Sequence, residues 1–424
     1  MKFIYKLLSL SLAIACLSGC SAANTEIASS SAATATVTPT TDSTEVSASN
    51  NVFTSAGDGL YVTTDSGIYE LQTVFPDSAN IFYTDANTKE RIFLCANPNC
   101  THADESCPSY IATPSAMFPP MLLRVGDQLL VVFTEATDSS NPHGMLMNMD
   151  GSNRRTVFEL ASNQYMQGGF CTSGNDLYFD LYEINDSGNV TYQLWYVSFE
   201  NGTSEKLMDL GSDSDHYSLC DGANNELCFN HVSSDGISYC MYNPQSKTIS
   251  DPFFVDSSVS GNSMIQDGYL FVLDEQASSV QRIRLSDKEQ ASASFTVKEG
   301  FGAPSMRYLF DGNLMITEAQ TLAADIPTDG SYDMCSYILD FDTRNCTEFT
   351  LQTPYNNRPV YVLTTIGDTC YVATDYKTYT PTSVSEDGTV SNFDYVANIY
   401  AFITKQDYIY SNQNGYLMVK DAFE

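Results

Sequence analysis

The chain has 424 residues, 43% of them hydrophobic and 12% aromatic, with 12 Cys and a formal net charge of -33. That content fills a sizeable core and excludes wholesale disorder. With 19 Lys+Arg against 52 Asp+Glu, it also excludes counterion-release binding to nucleic acid or to an anionic membrane surface.

At the amino terminus, Lys2 and Lys6 form a basic start, and an apolar run from Leu7 to Ala15 follows. The run is too short to span a bilayer. It ends in Leu17, Ser18, Gly19 and Cys20, small residues directly before a thiol, and this stretch resembles the bacterial lipobox. The resemblance implies a lipoprotein signal peptide over residues 1–19 and lipidation of Cys20, which would begin the mature chain. More than one acyl chain gives stable attachment to the outer face of the cell membrane, where a single chain is marginal. Residues 21–50 contain seven Ser, seven Thr and seven Ala among 30 and no aromatic residue. Such a segment buries too little apolar area to offset its ordering entropy. Residues 20–51 are therefore read as the lipidated Cys20 and a disordered tether.

From Val52 to Glu424 the chain changes character. Short alternating stretches rich in Tyr, Phe, Val, Ile and Leu are separated by Asp-Gly, Asn-Gly and Ser-Asp-Gly turns. A turn followed by an apolar strand, as in Gly57-Asp-Gly-Leu-Tyr-Val62, returns at Gly126, Gly174, Asn225, Asp267, Asp311, Gly367 and Gln406. The anchors Leu129, Leu177, Leu227, Leu270, Leu314 and Cys370 are separated by 48, 50, 43, 44 and 56 positions. This is the period of four-stranded propeller blades, sheets that bury both faces by stacking around an axis. The fold class is all-β, a β-propeller of seven four-stranded blades with eight as the alternative. The last copy, Gln406 to Val419, is expected to share a ring-closing blade with strands near Val52 to Gln72. The 69 residues from Leu60 to Leu129 exceed the period, and the excess marks an insert at 95–120.

That insert holds Cys95, Cys100, His102 and Cys107. Three thiols and an imidazole are the number and type of ligands a tetrahedral Zn2+ requires. The spacing is not one of the common zinc patterns, and Cys100 and His102 can face one ion only from an irregular or extended backbone. Three states stay open for this group: a zinc centre, disulfides in keeping with an extracytoplasmic compartment, or reduced structural thiols. Cys228 and Cys240 lie at near-opposed positions across a turn and form a candidate disulfide.

The segment Leu146-Met-Asn-Met-Asp-Gly-Ser-Asn-Arg-Arg-Thr-Val157 resembles the repeat of TolB-type propellers. There, an Asp-Gly turn joins the third and fourth strands of a blade and a basic-apolar pair follows. Lipobox, tether, repeats and Cys-rich insert together resemble surface lipoproteins of anaerobic gut Firmicutes, a resemblance that implies architecture rather than chemistry. Of catalytic motifs, neither H-E-x-x-H nor G-x-S-x-G occurs. Prolyl-oligopeptidase-like enzymes append a hydrolase domain to their propeller, but here the repeats run to within a few residues of Glu424, so none is expected in this chain. His216 and His231 read as ordinary turn and strand residues, while Tyr165, Tyr355, Tyr376 and Tyr379 fall in apparent loops. The expected role is a non-enzymatic, membrane-anchored propeller that binds or scaffolds an envelope protein or glycan. The alternative is a polysaccharide hydrolase or lyase with carboxylates in its channel.

Overall fold

The computed structural model describes residues 53–422 except 57–58, 76–77, 114–118, 257–262, 321–332, 380–381, 385–389 and 393–394. The signal peptide, Cys20 and the tether lie outside the described residues. The chain forms consecutive antiparallel four-stranded meanders; the third and fourth are joined where Gly211 and Ser212 pair with His216 and Asp215, and the outer strands of the first and fourth are split in two. Blade 1 comprises Tyr61–Thr63, Gly67–Phe75, Ser78–Asp85 and an outer strand broken into Arg91–Phe93 and Tyr110–Ala112. Blade 2 runs from Met121–Val125 through Gln128–Phe133 and His143–Asn148 to Arg155–Glu159. Blade 3 spans Gln164–Ser173 to Thr203–Ser212, and blade 4 begins at Asp215–Ala223 and ends in two short outer pieces, Thr248–Ile249 and Phe254–Asp256. Blades 5, 6 and 7 begin at Ser263–Gln266, Phe301–Phe310 and Val362–Ile366, and blade 7 ends at Leu417–Met418.

The packing follows from the two-residue period of a strand, which sends successive side chains to opposite faces. In the second strand of blade 2, Leu129 and Val131 pack toward blade 1, whereas Leu130 and Val132 pack toward blade 3. Likewise Cys370 and Val372 of blade 7 face blade 6, and Tyr371 between them faces blade 1. Every seam between consecutive blades holds such a core, and Ile68 of blade 1 with Tyr371, Tyr400 and Phe402 of blade 7 closes the ring. The fold is a seven-bladed β-propeller. The repeated turns join first to second strands. Asp267–Gly268 and Asp311–Gly312 carry positive φ at both central positions (51° and 75°, 49° and 76°), the geometry a two-residue hairpin requires.

Ring closure differs from the sequence expectation. Residues 405–409 form a short helix, Lys405–Ile409, whose Tyr408 is buried between blades 6 and 7. Leu417–Met418 then pairs with Tyr395–Thr404 as the outer strand of blade 7 itself. Blade 7 is thus built wholly from the C-terminal part of the chain, and strands 61–63 and 67–75 belong to blade 1. The joint is made instead by a clasp. Lys420 bonds through its backbone to Lys89 and Arg91, at 2.8 and 2.9 Å, beside a parallel bridge between Glu90 and Lys420. Thr54–Ser55 pairs with the inner strand of blade 3, on its free edge, where Phe53 is buried. Leu60 is 43% exposed ahead of the first strand, so that copy of the motif is out of phase, and Ile68 takes the anchor position of blade 1.

Candidate metal centre

The insert grows out of the broken outer strand of blade 1. Both of its ends are tied to one residue of the neighbouring strand: Leu94 donates its N–H to the Ile81 carbonyl at 2.9 Å, and Ile81 donates to the Ser109 carbonyl at 2.8 Å. The extruded loop is therefore 95–108. Tyr110–Ala112 returns to the sheet and Met121–Val125 already belongs to blade 2, so the insert is shorter than the sequence indicated.

Three local devices shape the loop. The Asn97 side chain accepts from Asn99 N–H (3.0 Å) and its carbonyl from Cys100 N–H (3.1 Å), which turns the chain between Cys95 and Cys100. His102 takes a left-handed backbone, φ 56°, and this is the irregular step that lets ligands two positions apart face the same way. A second turn at Asp104 accepts from Ser106 and Cys107 and brings Cys107 back. Phe93 stacks flat on the His102 ring, with centroids 4.1 Å apart, and fixes its plane.

The result is that one ligand atom from each of Cys95, Cys100, His102 and Cys107 lies within 4.8 Å of all the others. His102 Nδ1 is 3.2 Å from Cys107 Sγ, and His102 N–H donates to Cys100 Sγ at 3.4 Å. A tetrahedral zinc with bonds of about 2.0–2.3 Å sets ligand atoms roughly 3.5–3.8 Å apart, inside the 4.8 Å that bounds this group. Cys107 is buried, and its sulfur lies 3.1 Å from Ser109 Oγ, which in turn is 2.8 Å from Asn80 Oδ1. Burial opposes ionisation of Cys107, but hydrogen bonds with Ser109 and His102 outweigh it and bring the thiol down to about 6. Burial holds Cys95 up at about 11. A cation bound by this group would drive off the thiol protons. Among the described residues this is the one group of three or more such ligands that converges.

The other candidate pair is not brought together. In the hairpin register Cys240 is opposite Phe229 and Cys228 opposite Met241. The one-residue offset sends Cys240 to the blade 3 side and Cys228 to the blade 5 side, and both are free thiols. The candidate disulfide Cys228–Cys240 is therefore corrected. His216 lies in a strand, stacked on Tyr192 at 3.8 Å, and His231 pairs with Asp215 at 2.6 Å. Of the tyrosines, Tyr165 and Tyr376 are strand residues, and Tyr355 alone sits in an exposed loop, 5.5 Å from Tyr376. The Tyr379 side chain lies outside the described residues. The spacing of ligands gave no sign of Phe93, Ser109 and Asn80, which surround the centre. Only register places Asn80 opposite Tyr110 and next to the loop.

No protein-family model matches this chain, and no curated protein matches it. Among solved structures it is similar to a puromycin hydrolase (10% identity, TM-score 0.46), with 84% of this chain and 58% of that chain covered. It is also similar to an oligogalacturonate lyase from Vibrio parahaemolyticus (10% identity, TM-score 0.40), with 82% and 91% covered. A luciferin-regenerating enzyme aligns at 13% identity and TM-score 0.36, with 68% and 92% covered. The chain thus spans 58% of the length of the puromycin hydrolase.

Proposed function

We propose that this chain is a lipid-anchored protein of the outer face of the cell membrane. Its propeller binds an envelope protein or glycan without chemical turnover, and a structural zinc ion holds its insert. The observation that carries the reading is the closed ligand set. All four ligands come from the chain, as in structural zinc sites, whereas catalytic zinc keeps one position open for water or substrate. Three thiolates favour a soft or borderline ion over calcium or magnesium.

Residues 53–56 cover the inner edge of blades 3 and 4, with Phe53 N–H on the Asn224 carbonyl (2.7 Å) and Ala56 N–H on the Phe170 carbonyl (2.9 Å). A cleft of about 710 Å3 beside blade 5 is the place for a ligand. Its lining includes the carboxylates Asp274 and Glu275, the amides Gln276, Gln281 and Gln290, of which the last two bond each other at 3.0 Å, and the Phe254 ring, and no Lys or Arg lines it. These side chains suit the hydroxyls of a neutral sugar. The lipobox-like Leu17-Ser18-Gly19-Cys20 supports the anchor.

Metal analysis of purified protein, beside its Cys100→Ser variant, tests the centre. One zinc per chain in the wild type, and far less in the variant, is expected. Stoichiometric zinc untouched by the change would reject the ligand set. The anchor is tested by membrane fractionation of wild type and Cys20→Ala, the latter expected in the soluble fraction.

A further inference from the structure

We infer that Arg154 of blade 2 is a positioning residue for the metal centre of blade 1, so that ion binding and the seam between the two blades depend on each other. The inference rests on the zinc reading above. Arg154 follows the Asp150–Gly151 turn between the third and fourth strands of blade 2. Its guanidinium reaches across the seam, where Nη1 donates to the Tyr110 carbonyl at 2.7 Å and Nη2 to the Pro108 carbonyl. Nε donates to the Gly151 carbonyl of its own turn at 3.2 Å. Pro108 and Tyr110 flank Ser109, the residue bonded to Cys107 Sγ, and Pro108 follows Cys107 directly. One planar fork therefore grips the backbone on which the buried ligand Cys107 is carried.

Two further features fit this role. Gly151 has φ 78°, and a Cβ there would come within 2.5 Å of the Pro108 carbonyl, so only glycine lets the turn sit this close to the loop. Charge supplies the second argument. Three thiolates and a neutral imidazole around a divalent ion sum to one negative charge, and the partly buried Arg154 guanidinium places a cation on the Pro108 carbonyl, one residue from Cys107. Arg155, its neighbour, is exposed and its side chain points elsewhere along the strand. Lysine would keep the charge but not the fork. Coupling of this kind is reciprocal: whatever Arg154 adds to ion affinity, the ion adds to the hold of blade 2 on the loop.

The test uses the full chain as wild type and as Arg154→Ala, Arg154→Lys, Gly151→Ala and Arg155→Ala. Zinc affinity is read by competition with a chromogenic chelator, and geometry by the visible spectrum of the cobalt-loaded protein. Loss of a residue that orients a ligand lowers metal affinity by roughly 10- to 100-fold. That loss is expected for Arg154→Ala, together with weaker tetrahedral cobalt bands, and a smaller loss for Arg154→Lys. Arg155→Ala should match wild type. Gly151→Ala keeps every ligand and the arginine but pushes the turn off Pro108, so it should also weaken binding and guards against a misfolded Arg154→Ala. Wild-type affinity and spectrum in both Arg154→Ala and Gly151→Ala would overturn the inference while leaving the zinc reading intact. A wild type that takes up no metal would overturn both.

Discussion

Arg91 is the residue whose loss should cost this fold most. It is 2% exposed, in the outer strand of blade 1, where the C-terminal segment closes the ring. Its guanidinium meets Glu70 at 3.2 Å, Asp421 at 3.0 Å and Gln72 at 2.6 Å, and lies over the Phe82 ring at 3.7 Å. Glu70 also accepts from Tyr400 Oη of blade 7 at 2.5 Å. Arg91→Ala leaves Glu70, 5% exposed, as a buried charge with that hydroxyl as its remaining partner among these groups. Removing one member of a buried ion pair costs about 3–5 kcal/mol, because the other charge stays desolvated. Against a total stability of roughly 5–15 kcal/mol for a folded domain, that is a large fraction. Equilibrium urea unfolding, followed by Trp195 fluorescence and by circular dichroism, measures it. Trp195 lies in blade 3, away from the clasp, so a shift there reports the whole ring. Glu70→Gln and the double variant complete a cycle, with a coupling of about 0.5–3 kcal/mol expected for residues in contact. Arg91→Met keeps an apolar stem over Phe82 and should fall between. An Arg91→Ala protein that unfolds within about 0.5 kcal/mol of wild type, in the range of ordinary surface changes, would refute the clasp as the closing device.

Other outcomes follow from the same packing. Asp180 is buried at the seam of blades 3 and 4, accepting from Leu219 N–H at 3.1 Å, and burial raises its carboxyl from 3.8 to about 7. The unfolded chain ionises first, so stability should fall as pH rises from about 4 to 7 and level off above. At about 1.4 kcal/mol per pH unit the full effect is on the order of 4 kcal/mol. Asp180→Asn should flatten that slope in urea titrations at several pH values, and an unchanged slope would exclude Asp180 as its source. Gly169→Ala should destabilise by about 1–3 kcal/mol, since its Cβ would sit 2.1 Å from the Leu219 carbonyl; wild-type thermal stability would contradict the close approach. Reductant should leave the melting temperature of zinc-loaded protein unchanged, because Cys228 and Cys240 are not bonded. Mass spectrometry after alkylation in denaturant should find both labelled, and an unlabelled linked pair would restore the disulfide.

How far the sequence reached differs between fold and centre. The apolar anchors revealed the blades because each seam repeats one need: a strand such as Gln128–Phe133 must bury Leu129 on one side and Leu130 on the other. The copy at Gln406 misled because Tyr408 satisfies the same need from a helix, between the same two layers. Cys228 and Cys240 misled because a disulfide depends on register, and one residue of offset reverses the face. The four ligands of the insert were legible by type and number. The left-handed His102 that makes their spacing workable was not, since nothing in Thr-His-Ala calls for it.

The order of side chains along the chain determined that this would be a ring of stacked sheets, with a soft-ligand loop in its first module. Those properties arise from nearest neighbours: alternation, turn chemistry and the count of thiols. Tertiary structure alone decided where the ring shuts, that Arg91 and Asp421 meet across 330 positions, and that Arg154 holds a loop of another blade. Contacts of that span are set by the summed twist and register of every intervening strand, and no local pattern carries that sum.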